Sequence, residues 1–325
     1  MCFRILLPLI ALTPLAVFAQ GFSFKDTPGQ HLDVLRDGKL LARYMTAHDI
    51  SSKARREETY KPYLHVFDPT GSATITKGPG GTFPHHRGIF IGWNKINAGG
   101  QSYDRWHMKG GDQVHEKFLA QTAEKDRASF TSLVKWEGAT PAETIIEEER
   151  TFTFLRAPAP AYALIDVVSK LKAVAGEAVL GGDKEHAGLQ FRPVEEVDRT
   201  KTNYLFPGEN ADVKKDRDYP WFGDSFTIGG QRYSVVYLNH PANPKDAEVS
   251  AYRDYGRFGA YFKATIGQGN TQEIRARFLV VAGEMPPVEL IQKTWNEYAG
   301  KNDPVPKTTA KPADVSKPTA PKAKN

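Results

Sequence analysis

The segment FPHHRGIFIGWN, residues 83–94, decides the predicted fold because it joins a polar loop to a short apolar strand. Its apolar part, residues 89–91, is bracketed by glycines, which is typical of a buried strand. Two imidazoles and a guanidinium at the mouth of such a strand are costly to desolvate, so we expect them to face a cleft. The alternative is a structural loop in which His85 and His86 bond to backbone carbonyls.

Outward from this segment, short β-rich runs alternate with turn residues along most of the chain. Asp37-Gly38 and Gly229-Gly230 predict two-residue hairpins, and residues 267–270 predict a third hairpin turn. Residues 287–298 are the one run with helical period. We therefore predict an all-β protein: a large antiparallel β-sandwich, supersandwich-like, with a short C-terminal helix.

The two ends of the chain differ in composition from its body. Arg4 precedes a short apolar run, and small residues lead to Ala19, which predicts a signal peptide over residues 1–19 cleaved near Ala19. Residues 301–325 are rich in lysine and proline and predict a disordered tail. Residues 20–300 contain no linker, so we expect a single β-sandwich domain in a secreted or periplasmic protein.

Charge and motif content exclude several functions. The formal net charge is +5, but the tail after residue 300 holds six lysines against two aspartates, which leaves the body near neutral. A neutral body argues against nucleic acid as a partner, and no apolar run after the signal is long enough to span a membrane. P-loop, dinucleotide, HExxH and GxSxG motifs are absent. The one cysteine, Cys2, lies in the signal, so the mature chain has no thiol nucleophile or thiolate ligand.

Polar clusters in the predicted loops are the remaining candidates for a site. The runs GGDKEHAG (181–188), HPANP (240–244) and YRDYGRFG (252–259) are dense in ionic and aromatic groups, although each is also compatible with a surface turn. The run EEER (147–150) is interpreted as a solvated strand face. A histidine acid and a carboxylate base move protons on oxygen-rich substrates, and tryptophans stack on sugars. A two-histidine, one-carboxylate metal site is the alternative, but the spacing matches no recognised ligand motif.

The ordered series of motifs resembles a family of secreted bacterial proteins labelled "methane oxygenase PmoA". The resemblance spans about Leu32 to Val281, and the motifs that carry it are PHHRG (84–88) with Gly92, Val114-His115, Glu149-Arg150, Asp183-Lys184-Glu185, NHPANP (239–244) and RDYG (253–256). The label implies a copper oxygenase. The family is also similar to the galactose-mutarotase supersandwich, which implies a carbohydrate-active protein.

The leading hypothesis is acid/base chemistry on a sugar or sugar derivative, as in a lyase, epimerase or hydrolase, with Glu185 as base and His86 or His115 as acid. The alternatives are a copper- or iron-dependent oxygenase and a non-catalytic sugar-binding module. The predicted catalytic residues are His85, His86, His115, Lys184 and Glu185. The predicted substrate-binding residues are Arg87, Trp93, His107, Gln190, His240, Asn243, Arg253 and Tyr255. The expected partner is a small molecule or oligosaccharide; no metal ligand is assigned, and the cofactor is unknown.

Overall fold

A computed structural model describes residues 20–315, so the predicted signal peptide lies outside the described residues. The helices are α1 (Lys53–Thr59) and α2 (Val288–Ala299), with a 3-10 turn at Arg199–Lys201. The strands in chain order are β1 (Phe22–Thr27), β2 (His31–Arg36), β3 (Lys39–Met45), β4 (Tyr63–Val66), β5 (Gly88–Trp93), β6 (Lys95–Ala98), β7 (Gln101–Tyr103), β8 (Gln113–Ala123), β9 (Arg127–Glu137), β10 (Thr144–Leu155), β11 (Ala161–Ala173), β12 (Ala178–Gly181), β13 (Ala187–Arg192), β14 (Asn203–Pro207), β15 (Trp221–Ile228), β16 (Gln231–Asn239), β17 (Glu248–Ala251), β18 (Phe258–Tyr261), β19 (Ala264–Ile266), β20 (Thr271–Val281) and β21 (Thr308–Pro312). No helix within residues 20–315 is both long and apolar enough to cross a membrane.

Two large antiparallel sheets and one small sheet make up the fold. The eight-stranded sheet has the order β1-β2-β3-β4-β5-β13-β18-β17, and the nine-stranded sheet has the order β21-β14-β15-β16-β20-β11-β10-β9-β8. The small sheet has the order β19-β12-β6-β7. Phe191 of β13 lies 6.2 Å, between ring centroids, from both Phe226 of β15 and Phe278 of β20, so the main core lies between the two large sheets. The predicted all-β sandwich is confirmed.

Two of the three predicted hairpins form, and the third does not. Asp37 and Gly38 have φ of 52° and 78° and connect β2 to β3, and Gly229-Gly230 connect β15 to β16. Such left-handed turn residues match the twist of a hairpin. The expected hairpin around residues 267–270 is wrong, because β19 pairs with β12 whereas β20 pairs with β11 and β16. This turn connects a strand of the small sheet to a strand of the nine-stranded sheet. The sequence of a turn does not determine which strands its flanking strands pair with.

Helix α2 covers the outer face of the nine-stranded sheet. Ile291 and Trp295 pack there against Trp221 and Leu238. Gly300 ends the helix with φ of 63°, a left-handed conformation that glycine adopts without a Cβ clash. The predicted C-terminal helix is therefore confirmed.

Residues 308–312 of the tail form a strand, which differs from the predicted disorder after residue 300. Strand β21 pairs antiparallel with β14 at the edge of the nine-stranded sheet, from Asn203 opposite Pro312 to Pro207 opposite Thr308. The edge of β14 would otherwise leave backbone N–H and C=O groups unpaired, and the tail supplies their partners. The composition of the tail does not reveal this pairing, because the hydrogen bonds between paired strands are formed by backbone groups that every residue type except proline can supply in full.

The outer face of the eight-stranded sheet positions the polar loops. Side chains alternate along a strand, so Ile91 faces the main core while Phe90 faces outward with Trp106. Gly92 allows the loop after β7 to lie directly on this face, since a Cβ at residue 92 would stand 2.1 Å from the carbonyl oxygen of Arg105. The loop that carries Trp106 and His107 is thereby held against β5.

Candidate functional site

A cavity of about 410 Å³ lies over the outer face of the eight-stranded sheet. The contributing segments are the loops between β4 and β5, β7 and β8, β12 and β13, and β17 and β18, together with the 3-10 turn after β13. The lining residues are Thr82, Phe83, His85, His86, His107, Glu185, His186, Arg199, Arg253 and Tyr255. Segments far apart in sequence therefore converge on one hollow.

His86 forms the buried side of the cavity. Its side chain is almost fully buried, yet neither ring nitrogen has a hydrogen-bond partner within residues 20–315. The ring lies among Phe83, Phe90 and Trp106 at centroid distances of 5.3, 5.9 and 5.5 Å. Burial lowers the pKa of His86 well below its ordinary value, so the imidazole is neutral at neutral pH. A buried polar group without a partner is costly, which suits a ligand that supplies one.

A row of three further imidazoles forms one wall. The ring of His107 lies 4.4 Å from that of His85 and 5.4 Å from that of His186. Burial lowers the pKa of His85 to about 2. This row places several imidazole nitrogen atoms along one side of the cavity.

An aspartate orients His107. The Nδ1 atom of His107 lies 2.8 Å from Oδ2 of Asp104, whose Oδ1 accepts the backbone N–H groups of Trp106 and His107. Burial alone would raise the pKa of Asp104, but these hydrogen bonds lower it below its ordinary value. An ionised carboxylate only accepts, so Nδ1 of His107 is the donor, and the lone pair of the neutral imidazole is on Nε2. His186 makes a similar contact with Asp183, at 3.0 Å.

Guanidinium groups around Glu185 form a second part of the lining, the guanidinium wall. Oε2 of Glu185 lies 2.8 Å from Nη2 of Arg257 and 3.1 Å from Nη2 of Arg253. Arg257 is fully buried and also donates to Gln190 and Ser250. The network fixes Glu185 between two arginines, and the other carboxylate oxygen, Oε1, has no partner within the described residues.

An aromatic edge completes the cavity. Phe83 is 39% exposed and lies 5.4 Å from the ring of Tyr255, between ring centroids. Its φ of 54° is unusual for a residue with a Cβ and is strained. Arg192 stacks on Tyr255 from behind, with its guanidinium carbon 4.5 Å from the ring centroid. Apolar ring faces beside a few polar groups are the usual composition of a small-molecule pocket.

Six of the predicted site residues line the cavity, although their roles stay predictions. They are His85, His86, His107, Glu185, Arg253 and Tyr255. Gln190 lies beneath them and accepts a hydrogen bond of 2.8 Å from Arg257, so it supports the guanidinium wall.

The other predicted residues lie elsewhere, where each has a structural partner. Arg87 donates to the carbonyls of Pro84, Glu57 and Glu58, and the indole of Trp93 is fully buried and donates to the carbonyl of Phe262. His115 contacts the hydroxyl of Ser132 at 2.6 Å. Lys184 points toward the backbone carbonyls of Val213 and Lys214. His240 packs on the ring of Tyr298 in α2. Asn243 forms hydrogen bonds with Asn239 and Arg275.

Four lining residues, Thr82, Phe83, His186 and Arg199, were not predicted as site residues, although Phe83 and His186 lie in runs that the sequence analysis singled out. His186 follows Asp183 by three residues, a spacing that could have indicated a carboxylate–imidazole contact. Arg199 reaches the cavity from a 3-10 turn in a charged run, and Phe83 precedes a proline. Nothing else in their local sequence distinguishes them, because only the fold brings them to the other loops.

Within residues 20–315, no group of three or more histidine, cysteine, aspartate or glutamate side chains is arranged to hold a metal ion.

Fold and cavity together define a two-sheet β-sandwich protein with a loop-lined pocket of aromatic and charged residues. The chain belongs to the family of unknown function DUF6807, whose family model matches residues 31–296. The family description does not carry the PmoA label that the motifs suggested, so that label rests on the motif resemblance alone. No protein of curated function matches the sequence.

Several solved structures share the general arrangement of strands at very low identity. Heparan sulfate lyase HepC, as a mutant from Pedobacter heparinus, is 10% identical with a TM-score of 0.44, and the match covers 81% of this chain but 37% of that one. A galactose mutarotase-like protein from Lactobacillus casei is 7% identical with a TM-score of 0.35, covering 80% of this chain and all of that one. The Slr1438 protein from Synechocystis is 9% identical with a TM-score of 0.38, covering 84% of this chain and all of that one. Likeness at this level says nothing about what this chain binds.

Proposed function

We propose that this protein binds a sugar or sugar derivative in the cavity and transfers a proton on it. The observation that carries the proposal is the pairing of His86, buried with two unpartnered ring nitrogens, with an aspartate-oriented His107 in the same cavity. A polar, partly aromatic hollow of this size suits a small polyhydroxylated ligand.

His107 is the base in this proposal. Nδ1 of His107 lies 2.8 Å from Asp104, so in the neutral imidazole the lone pair that accepts a substrate proton is on Nε2. Glu185, the base proposed from sequence, is less well placed because both Arg253 and Arg257 contact its Oε2.

His86 binds rather than protonates the substrate. Since burial keeps this imidazole neutral, it offers one N–H donor and one acceptor to hydroxyl groups. Phe83 and Tyr255 offer ring faces to the apolar side of a sugar.

The test is turnover of a sugar panel, followed by NMR in D2O to detect products and solvent deuterium uptake. We expect H107Q and D104N to lose at least about 100-fold in turnover, the usual contribution of a positioned base. H48Q is the matched control, because His48 also contacts an aspartate, Asp112 at 3.0 Å, but lies outside the cavity.

Two results would contradict the proposal or narrow it. Unchanged turnover in both H107Q and D104N would remove His107 as the base. Sugar binding that H86Q abolishes, with no product from any sugar, would make the protein a binding module.

We also propose that the protein acts outside the cytoplasm. The pattern of residues 1–19, a basic residue followed by an apolar run and small residues, supports export. Fractionation of cells that express the full chain tests this, and retention of the whole protein in the cytoplasm contradicts it.

A further inference from the structure

We propose that the cavity selects a sugar that bears an anionic group, a carboxylate or a sulfate ester, and that Arg199 and Arg253 recognise this group. The inference rests on the proposed function, because it names the substrate class of the same cavity.

The charge of the guanidinium wall carries the inference. Arg253 and Arg257 share the single carboxylate of Glu185. Arg199 lines the same cavity, and its guanidinium carbon lies 5.9 Å from the ring centroid of Tyr255. The lining therefore holds two guanidinium groups, Arg199 and Arg253, and one carboxylate, Glu185, whose charge the buried Arg257 also shares, so positive charge is in excess on this wall.

The imidazole wall does not balance this excess. His85 and His86 are neutral because of burial, and Glu185 is the one carboxylate among the described lining residues. Asp104 and Asp183 lie behind the imidazoles of His107 and His186, to which they are bonded. An anion that enters the cavity therefore meets two lining guanidinium groups and a single lining carboxylate.

The wall is also built to keep its shape. Fully buried Arg257 is held by Gln190, Ser250 and Glu185, and Glu185 in turn anchors Arg253 through contacts of 3.2 Å to Nε and 3.1 Å to Nη2. The side chain of Arg253 is still 38% exposed, so a ligand can reach it. A planar guanidinium offers paired N–H donors that match the two oxygens of a carboxylate or sulfate.

Calorimetric titration of the full chain with matched sugars tests this inference. The probes are D-glucuronate, D-galacturonate and D-mannuronate, each compared with its uncharged amide, together with the 6-sulfates of the parent sugars. We expect at least one acid to bind about tenfold or more tightly than its amide, as charged hydrogen bonds imply. R199Q is expected to reduce this ratio to about twofold, by the same reasoning. K201Q is the control, because Lys201 lies on the same turn, pairs with Asp198 and does not line the cavity.

The possible outcomes separate this inference from the proposed function. An acid/amide preference that R199Q removes supports it, and the sulfate probes show which anion is preferred. Equal binding of acids and amides, with all binding lost in H86Q, overturns the anion preference and leaves the proposed function intact. Absence of binding by every acid, amide, sulfate and neutral parent sugar overturns both.

Discussion

At the scale of single residues, the buried pair of Glu148 and Arg150 shows that sequence alternation reveals only part of a residue's role. The alternation in EEER places Glu148 on the opposite face from Glu147 and Glu149, but the charge of the whole run predicts a solvated face. In the structure Glu148 is fully buried and lies 2.6 Å from Nη2 of Arg150. It also accepts from the indole of Trp136 at 2.7 Å. The period identifies the face, whereas the buried contacts with Arg150 and Trp136 identify the role of Glu148.

E148Q is therefore expected to lower the free energy of unfolding by about 3–5 kcal/mol, because it leaves the buried guanidinium of Arg150 without its counter-charge. Urea denaturation measures the change. E149Q, on the exposed face of the same strand, serves as the control and should cost less than about 0.5 kcal/mol. Equal effects of the two substitutions would argue against a specific pair.

The candidate site was predictable at the residues whose neighbours in sequence are unusual. His85, His86 and Glu185 stand in glycine- or proline-flanked polar runs, and all three line the cavity. Arg199 looks like an ordinary surface residue because its relation to Tyr255 exists only in the folded chain. Trp93 was predicted to bind substrate, but an indole packs in a hydrophobic core as readily as against a ligand. Here the side chain of Trp93 is fully buried in the core.

At the scale of elements, strands and tight turns followed the sequence closely, while the pairing of strands did not. Local chemistry specifies a turn such as Asp37-Gly38, but the partner of β19 depends on which sheet edge is free. The same reason explains why β21 is not predictable: its backbone, not its composition, pairs with β14. Sequence therefore predicts the parts of the sandwich better than their connections.

Truncation after residue 306 is expected to expose the edge of β14. Amides of residues 203–207 that bond to β21 should exchange with deuterium at least about tenfold faster than in the full chain, since their ladder partner is lost. Hydrogen exchange with mass spectrometry measures this, and residues 31–36 in the other sheet serve as an internal reference. Unchanged exchange over 203–207 would contradict the pairing of β21.

Substitution of the glycine that ends α2 tests the helix in the same way. G300A is expected to cost about 1 kcal/mol in the free energy of unfolding, because alanine is strained at a φ of 63°. The neighbouring K301A removes a side chain without changing this conformation and should have little effect. Thermal denaturation of G300A and K301A measures both effects. A loss of stability in G300A alone indicates backbone strain at residue 300, whereas equal losses would indicate only altered side-chain contacts.

At the scale of the whole molecule, uncharged histidines couple the stability of the fold to pH. Burial lowers the pKa of His65 and His115 to about 4 and that of His85 to about 2. An unfolded histidine has a pKa of about 6.5, so between pH 6.5 and 4 the unfolded chain binds more protons. Acidification through this range therefore favours unfolding.

We expect the free energy of unfolding to fall as the pH is lowered from 7 to 5. In H65Q the slope of this fall should be smaller than in the unchanged chain, by up to about 1.4 kcal/mol per pH unit. H48Q should show the opposite sign, because a hydrogen bond to Asp112 raises the pKa of His48 and makes its contribution larger in acid. Urea denaturation at several pH values measures both slopes. If the free energy of unfolding fell more steeply with acid in H65Q than in the unchanged chain, the lowered pKa of His65 would be refuted.

The backbone pairing of Asp314 with Arg253 has a practical consequence for spectroscopy. Residue 253 lines the cavity, and Val315, which follows Asp314, is 82% exposed. A fluorophore on a cysteine at position 315 would sit one residue from a segment tied directly to the cavity wall. Because Cys2 is the chain's one natural thiol, a version beginning at residue 20 could be labelled at that position alone. Its emission would then provide an optical titration of occupancy for any candidate sugar, whether or not that sugar is turned over.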